Sequence, residues 1–224
     1  MNVLMIGNSF TYYFDVPALL EQICRSAGKD VNVESVTKGG WTLLQHADKD
    51  DEAGRIAEEK LASGKRYDVV ILQEQSSRPF ENYLLFRDGC VKLAKKIRAN
   101  NPDARIILYQ TWGYGDEFAY MTEKGWTCET MFAKLEKAYA EAAKELGAEV
   151  SPVGKGLLAL YRQTAIDPYW EDRKHQSYHG SFLSATIHAR KLFPDLQTGE
   201  ITFRGECTED DAKQIFTIAE ACGE

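Results

Sequence analysis

The sequence is short of most features that would assign a protein class at once. Its five cysteines, Cys24, Cys90, Cys128, Cys207 and Cys222, are scattered through 224 residues without a C-x-x-C pair. An odd, dispersed set is neither a disulfide framework nor a zinc ribbon, so the thiols are expected to be reduced and buried. No apolar run approaches the ~20 residues that cross a bilayer. Positive charge is in deficit: 27 Lys and Arg stand against 34 Asp and Glu, a net charge of −7. That balance argues against a nucleic-acid or anionic-membrane partner. Neither G-x-G-x-x-G nor G-x-x-x-x-G-K-[ST] follows any β-rich run, which disfavours a nucleotide- or phosphate-binding module. Internal repeats, low-complexity tracts and linker-like stretches are also missing. The opening residues, MNVLMIGNSF, have no basic segment and no long apolar segment of the signal-peptide kind. The expectation is a cytoplasmic protein, or a secreted one whose signal has been removed.

What is present is a globular composition: 44% hydrophobic, 11% aromatic and 27% charged. A chain of this length fits one α/β domain spanning residues 1–224. Such a domain buries about 70–75% of its unfolded surface and needs no disulfide or metal for stability. Five short β-rich runs stand out: Val3 to Ile6, Val31 to Val36, Asp68 to Leu72, Arg105 to Tyr109 and Glu149 to Val153. Most are nearly continuous in apolar residues, as strands covered on both faces are. Helical stripes lie between them: Ala53, Ile56, Ala57 and Leu61; Phe86, Cys90, Leu93, Ala94 and Ile97; Phe132, Leu135, Tyr139, Ala142 and Leu146, with Gly147 as the stop. A helix near Asp15 or Pro17 and a last helix capped by Thr208, with Asp211 three residues on, complete the pattern. Alternation of this kind predicts a parallel sheet with helices on both faces and right-handed crossovers.

Ligands of such folds bind at the carboxyl ends of the strands, so chemistry is sought just after each one. Those loops read Gly7-Asn8-Ser9-Phe10-Thr11, Thr37-Lys38-Gly39-Gly40-Trp41, Gln73-Glu74-Gln75-Ser76-Ser77 and Thr111-Trp112-Gly113-Tyr114. Ser9 lies on a tight strand-to-helix turn that Gly7 permits; taken alone it reads as a turn or cap residue. Near the C-terminus, Asp172 stands three residues before His175. One turn of chain would let the carboxylate hold Nδ1–H and leave Nε2 to take a proton from a serine; taken alone it reads as a surface ion pair. Donors for an oxyanion are offered by the Ser9 amide, the Gly39-Gly40 pair and the Gln75 side chain.

Taken together, a Gly-Asn-Ser block after the first strand, a glycine after the second, an amide after the third and Asp-x-x-His near the end resemble the SGNH (GDSL-like) hydrolase family. Gly180, Leu183 and Ala185 after His175 fit the family's continuation. The resemblance implies a three-layer α/β/α flavodoxin-like fold with a five-stranded parallel sheet, and ester hydrolysis through an acyl-serine without metal or organic cofactor. It assigns Ser9 as nucleophile, His175 as base and Asp172 as its orienter, with the Ser9 amide, Gly40 and Gln75 forming the oxyanion hole. The chain departs from the family in two places. Asn8 stands where the family has Asp, and Gln73-Glu74-Gln75-Ser76 stands where it has Gly-x-Asn-Asp, leaving Gln75, Gln73 or neither as the third donor. The partner expected is a small-molecule ester carrying a short acyl group, with an O-acetyl group on a carbohydrate as the expected case.

Two rival readings follow from the same residues. Asp172, His175 and His179 have a spacing that suits a metal-dependent hydrolase. Trp41, Trp112, Trp126 and Trp170 fall in loops and could stack on sugar rings, Trp41 and Trp112 above all, as in a carbohydrate-binding protein with weak catalysis. His46 and His188 read as surface or satisfied core histidines. Residues 112–128 are long for a plain connection, as lids and substrate walls are. Thr198 to Glu206 reads as a turn with a short strand.

Overall fold

A computed structural model describes residues 1–222. Five strands form one sheet: β1 Asn2–Gly7, β2 Asn32–Thr37, β3 Val69–Leu72, β4 Arg105–Tyr109 and β5 Glu149–Ser151. Their order is β2-β1-β3-β4-β5, all are parallel, and helices flank the sheet. This is the α/β class and the strand number expected. The central strands are unbroken apolar runs because neither face meets water: Val3 to Ile6 are 0% exposed and Val69 to Leu72 at most 1%. The edge strand β2 is polar. Its Glu34 accepts from Lys60, Lys65 and Tyr67, and the two ammonium groups hold its carboxyl down at about 2. Charge on an open edge discourages the addition of a foreign strand. β5 stops at Ser151, two residues short of expectation. Pro152 has no N–H for the ladder, and Val153 already opens the helix Val153–Gln163.

Strand register sets the functional geometry. Gly7 pairs with Thr37, Ile6 with Leu72, and Leu72 with Leu108. The loops that begin at Asn8, Lys38, Gln73 and Gln110 therefore leave the sheet at one level.

The chain packs into two compact units, each drawn from separate stretches of sequence. The first comprises Met1–Tyr12, Asn32–Thr111 and Leu135–Val150. Its helices Glu52–Ala62 and Tyr83–Asn100 bury most of the stripes read from sequence: Ala53, Ala57 and Leu61 on one, with Ile56 only half-buried, and Phe86, Cys90, Leu93, Ala94 and Ile97 on the other. Helix Cys128–Leu146 adds Leu135, Tyr139 and Ala142. It ends as expected at Gly147, whose φ of +58° lets the Ala148 amide reach back to the Ala143 carbonyl. At Gly89 a Cβ would lie 2.7 Å from the Leu44 nitrogen, so only glycine admits the short helix Leu43–His46 at that distance.

The second unit comprises Tyr13–Val31, Trp112–Lys134 and the residues from Ser151 onward. Helix Val16–Ser26 starts where expected, with Asp15 as N-cap accepting from the Ala18 amide and Pro17 in the first turn. Thr208 caps Glu209–Ala221. Helix Tyr178–Leu192 packs against Val16–Ser26, Val153–Gln163 and Glu209–Ala221. It is buried nearly all round, so it shows no amphipathic stripe by which sequence periodicity could find it. Its serine and threonine hydroxyls are satisfied inside: Ser181 donates to the Tyr13 carbonyl, Ser184 to Gly180 and Thr186 to Phe182, while His188 Nδ1 lies 2.8 Å from Ser151 Oγ. Within 112–128 the structure forms a short helix, Ala119–Lys124. Thr198–Glu200 makes the expected turn, but residues 201–206 find no ladder partner and form no strand. No helix among the described residues is long and apolar enough to cross a membrane.

Burial pushes the His188 imidazole down from 6.5 to about 3. Between those values the unfolded chain binds a proton that the folded chain refuses. The contribution of neutral His188 is therefore intact above about pH 6.5 and is lost progressively on acidification. Urea midpoints measured from neutral pH down to about pH 4 should fall more steeply for the native sequence than for His188→Gln. Parallel slopes would count against this burial effect.

Candidate active site

In the first unit, the loop after β1 is held by side chains as well as by its own turn, in which the Thr11 and Tyr12 amides donate to the Asn8 carbonyl. Ser9 is half-buried and opens the short helix Ser9–Tyr12. The Asn8 amide and the Thr11 hydroxyl both donate to Gln73 Oε1, at 2.8 and 3.0 Å, and Gln73 Nε2 donates to the Glu74 carbonyl. His46 Nε2 lies 2.8 Å from the Gly7 carbonyl, which requires the hydrogen on that nitrogen. Burial lowers the affinity of His46 for a second proton; it is a core histidine, as expected, but satisfied at Nε2 only, since Nδ1 is buried without a hydrogen-bond partner. Asn8 caps the helix through Oδ1, which accepts from the Phe10 amide, while Nδ2 donates to the Trp41 carbonyl at 2.8 Å. A carboxylate could not make that donation. This contact explains an amide at a position where the family it resembles carries an acid.

Trp41 closes a turn from Lys38, its amide donating to the Lys38 carbonyl. Gly40 within it has φ +73°, and no atom lies near its absent Cβ; the backbone conformation, not space, calls for glycine. Gly39 and Gly40 are exposed, and Lys38 Nζ lies 3.7 Å from the Trp41 ring centroid. Of the two glutamines after β3, Gln73 is 1% exposed and engaged at both ends of its amide. Gln75 is half-buried; its Oε1 accepts from the Arg78 amide and its Nε2 donates to Ser76 Oγ at 3.3 Å. A carboxamide has two hydrogens, so that bond leaves Gln75 one more to donate.

In the second unit, Asp172 and His175 meet as the spacing predicts. Asp172 Oδ2 lies 2.5 Å from His175 Nδ1, and Oδ1 accepts from the Lys174 and His175 amides. Partial burial would raise the Asp172 carboxyl, but the His175 ring and these amides outweigh it and hold it below its ordinary value. A carboxylate on Nδ1 fixes the tautomer in which Nε2 is the basic nitrogen. The turn is braced on every side. The Trp170 amide donates to the His175 carbonyl, Tyr169 bridges Gln176, and the Gly115 amide takes the Arg173 carbonyl. Arg173, at φ +58°, sends its guanidinium to Asp167 and Glu117.

Sequence reasoning missed Tyr13, whose ring stacks on the His175 ring at 4.3 Å between centroids and 10° between planes. No local pattern connects residues so far apart. The expectation for Trp112 is corrected. It is 0% exposed with its indole N–H on the Lys174 carbonyl, so it braces the His175 turn and presents no face to a sugar. Trp170, 43% exposed, does present one. His179 turns to Asp211, 3.5 Å away. Among the described residues no three His, Cys, Asp or Glu side chains are gathered to hold a metal ion, so Asp172, His175 and His179 are not a ligand set.

No protein-family model matches the sequence, and no curated protein matches it. Solved structures do. A protein from Slackia heliotrinireducens assigned as an SGNH hydrolase is 27% identical, with a TM-score of 0.72 over 86% of this chain and 98% of that one. A DUF4886 family protein from Bacteroides uniformis is 20% identical, with a TM-score of 0.84 over 99% and 93%. An acetyl-xylooligosaccharide esterase from Geobacillus is 16% identical, with a TM-score of 0.54 over 93% and 97%. By fold, the chain stands with the SGNH and GDSL-like hydrolases, as its motifs suggested.

The Asn8–Trp41 contact is open to test. Asn8→Asp sets a carboxylate against the Trp41 carbonyl at a position 2% exposed. It should cost about 1–3 kcal/mol in urea denaturation at neutral pH, and less on acidification as the acid regains a donor. Unchanged stability would show that this bond contributes nothing.

Proposed function

We propose that the chain is a serine esterase acting on a small-molecule ester through an acyl-serine. The observation that carries this reading is the Asp172–His175 pair, closed at 2.5 Å in a braced turn. In this mechanism Ser9 Oγ attacks the acyl carbon as its proton passes to His175 Nε2. The oxyanion is received by the amides of Ser9 and Gly40 and by the Gln75 carboxamide. In this reading the Ser9 amide serves as a donor from the first residue of the helix Ser9–Tyr12. His175 then protonates the departing alcohol, and water repeats the sequence on the acyl-serine. Asp172 keeps the imidazole in the correct tautomer and favours the imidazolium that forms. Tyr13 beneath the ring restricts its rotation and offers a π-face to the same cation. The resemblance implies no metal or organic cofactor.

Substitution tests the roles. Ser9→Ala and His175→Ala should each remove nearly all turnover, with non-additive effects because the two act as a unit. Asp172→Ala should be milder. Gln75→Ala should lower kcat by about 10²–10³, equivalent to about 3–4 kcal/mol, and His179→Ala should change little. A serine-directed phosphonate should label Ser9, and hydrolysis should survive EDTA. A fully active His175→Ala would overturn the assignment.

For substrate we propose a short acyl group, an O-acetyl ester of a carbohydrate. Support comes from the Geobacillus esterase of like fold, the acidic net charge of −7 and the exposed indole of Trp170, five residues before His175. Turnover of p-nitrophenyl esters should fall steadily from the acetate to the dodecanoate. Trp170→Ala should raise KM for acetylated sugars while sparing p-nitrophenyl acetate. Preference for long chains would refute this substrate class. Sugar binding without turnover of any ester would favour the carbohydrate-binding protein.

A further inference from the structure

We propose that Glu74 is a positioning residue: as a carboxylic acid it ties the loop after β2 to the loop after β3, and its ionisation loosens both. The side chain is 0% exposed, and its Oε1 accepts two backbone amides, that of Gln75 at 2.6 Å and that of Leu43 at 3.2 Å. Leu43 opens the helix that follows the Gly40 turn, where Thr42 and Gln45 form a capping box. One oxygen therefore holds the bases of the two loops that supply Gly40 and Gln75. Oε2 is buried without a hydrogen-bond partner.

The surroundings make charge on this group costly. Arg78 faces it from helix Arg78–Glu81, Cys90 from Tyr83–Asn100 and Tyr139 from Cys128–Leu146. The thiol and the phenol are themselves pushed up by burial and stay neutral. His46, on the helix begun by Leu43, faces the Gly7 carbonyl and is neutral too. Arg78 makes no ion pair with Glu74, and its Nε is buried without a hydrogen-bond partner. Burial pushes the Glu74 carboxyl up to about 8, against the two amides and Arg78, which favour the anion. At neutral pH the group is a neutral acid. Once ionised, its second oxygen demands hydration that the closed pocket supplies only by opening.

The folded state keeps a proton that the unfolded state releases near 4.5, so the stabilising contribution is complete below that value and lost as pH rises through about 8. Glu74→Gln keeps the Oε1 acceptor and cannot ionise. Its melting temperature should gain on that of the native sequence as pH is raised from about 5 to about 9; curves that run parallel overturn the proposal. If the variant fails to fold, amide hydrogen exchange on the native protein decides the matter. Protection at Leu43 and Gln75 should drop above about pH 8 after correction for base catalysis, and constant protection overturns the proposal. The kinetic arm rests on the esterase reading. With p-nitrophenyl acetate, kcat of the native sequence relative to Glu74→Gln should be flat below neutrality and fall by up to about tenfold per pH unit above about 8. A flat ratio throughout, or a folded variant dead at every pH, overturns the positioning role. If neither protein hydrolyses an ester, the functional reading fails alone, and the stability and exchange results still judge Glu74.

Discussion

In a parallel sheet all strands end at the same rim, and the peptide groups just beyond it have lost their ladder partners. The first unit of this protein meets that constraint with side chains. Gln73 takes the Asn8 amide and the Thr11 hydroxyl, His46 the Gly7 carbonyl, Asn8 the Trp41 carbonyl, and Glu74 the Leu43 and Gln75 amides. Each bond contributes roughly 1 kcal/mol net, but each group left unpaired would cost about 1–3 kcal/mol. The asymmetry makes the layer cooperative: removing one member exposes the needs of the next. Ser9 and Gly40 lie on loops whose bases are defined by this layer, so their backbone positions follow from residues that are themselves buried.

The His175 turn is made rigid by different means. The Asp172 carboxylate supplies two amide contacts and one ring contact, so turn and imidazole are ordered by the same side chain. Around it, Trp112 fills the interior and Arg173 spans Asp167 and Glu117. Backbone strain concentrates nearby. Among the described residues, the non-glycine residues with positive φ are Phe14, Asp15 and Arg173. Phe14 and Asp15 directly follow Tyr13, the ring that stacks on His175, and Arg173 lies inside the turn. Left-handed conformations at such residues cost of order 1–3 kcal/mol and persist where surrounding contacts over-determine them. The same expenditure at a site argued to be catalytic is consistent with preorganisation.

Much of this is legible in the sequence alone, and the reason is locality. Strand runs, the Asp15–Pro17 helix start, the Gly147 stop and the Thr208 cap depend on residues a few positions apart. So does the Asp172–His175 contact, whose partners are separated by one turn. Helix Tyr178–Leu192 escaped periodicity because burial on all sides erases the polar face that periodicity detects. Tyr13 escaped because stacking leaves no trace in spacing.

The amino-acid sequence by itself determined the five strands and the amphipathic helices between them, the loops in which Ser9, Gly40 and Gln75 stand, and the local pairing of Asp172 with His175. Only the tertiary structure decided which of two similar side chains does which task. Gln73 is consumed by Asn8, 65 positions away, while Gln75 stays near its own loop. Trp112 disappears beneath Lys174, 62 positions on, while Trp170 remains exposed. The protonation of Glu74 belongs to the same category, since burial is a property of neighbours brought together by the fold. Composition and spacing report what a residue is able to do; the contacts it meets across the chain determine what is left for it to do.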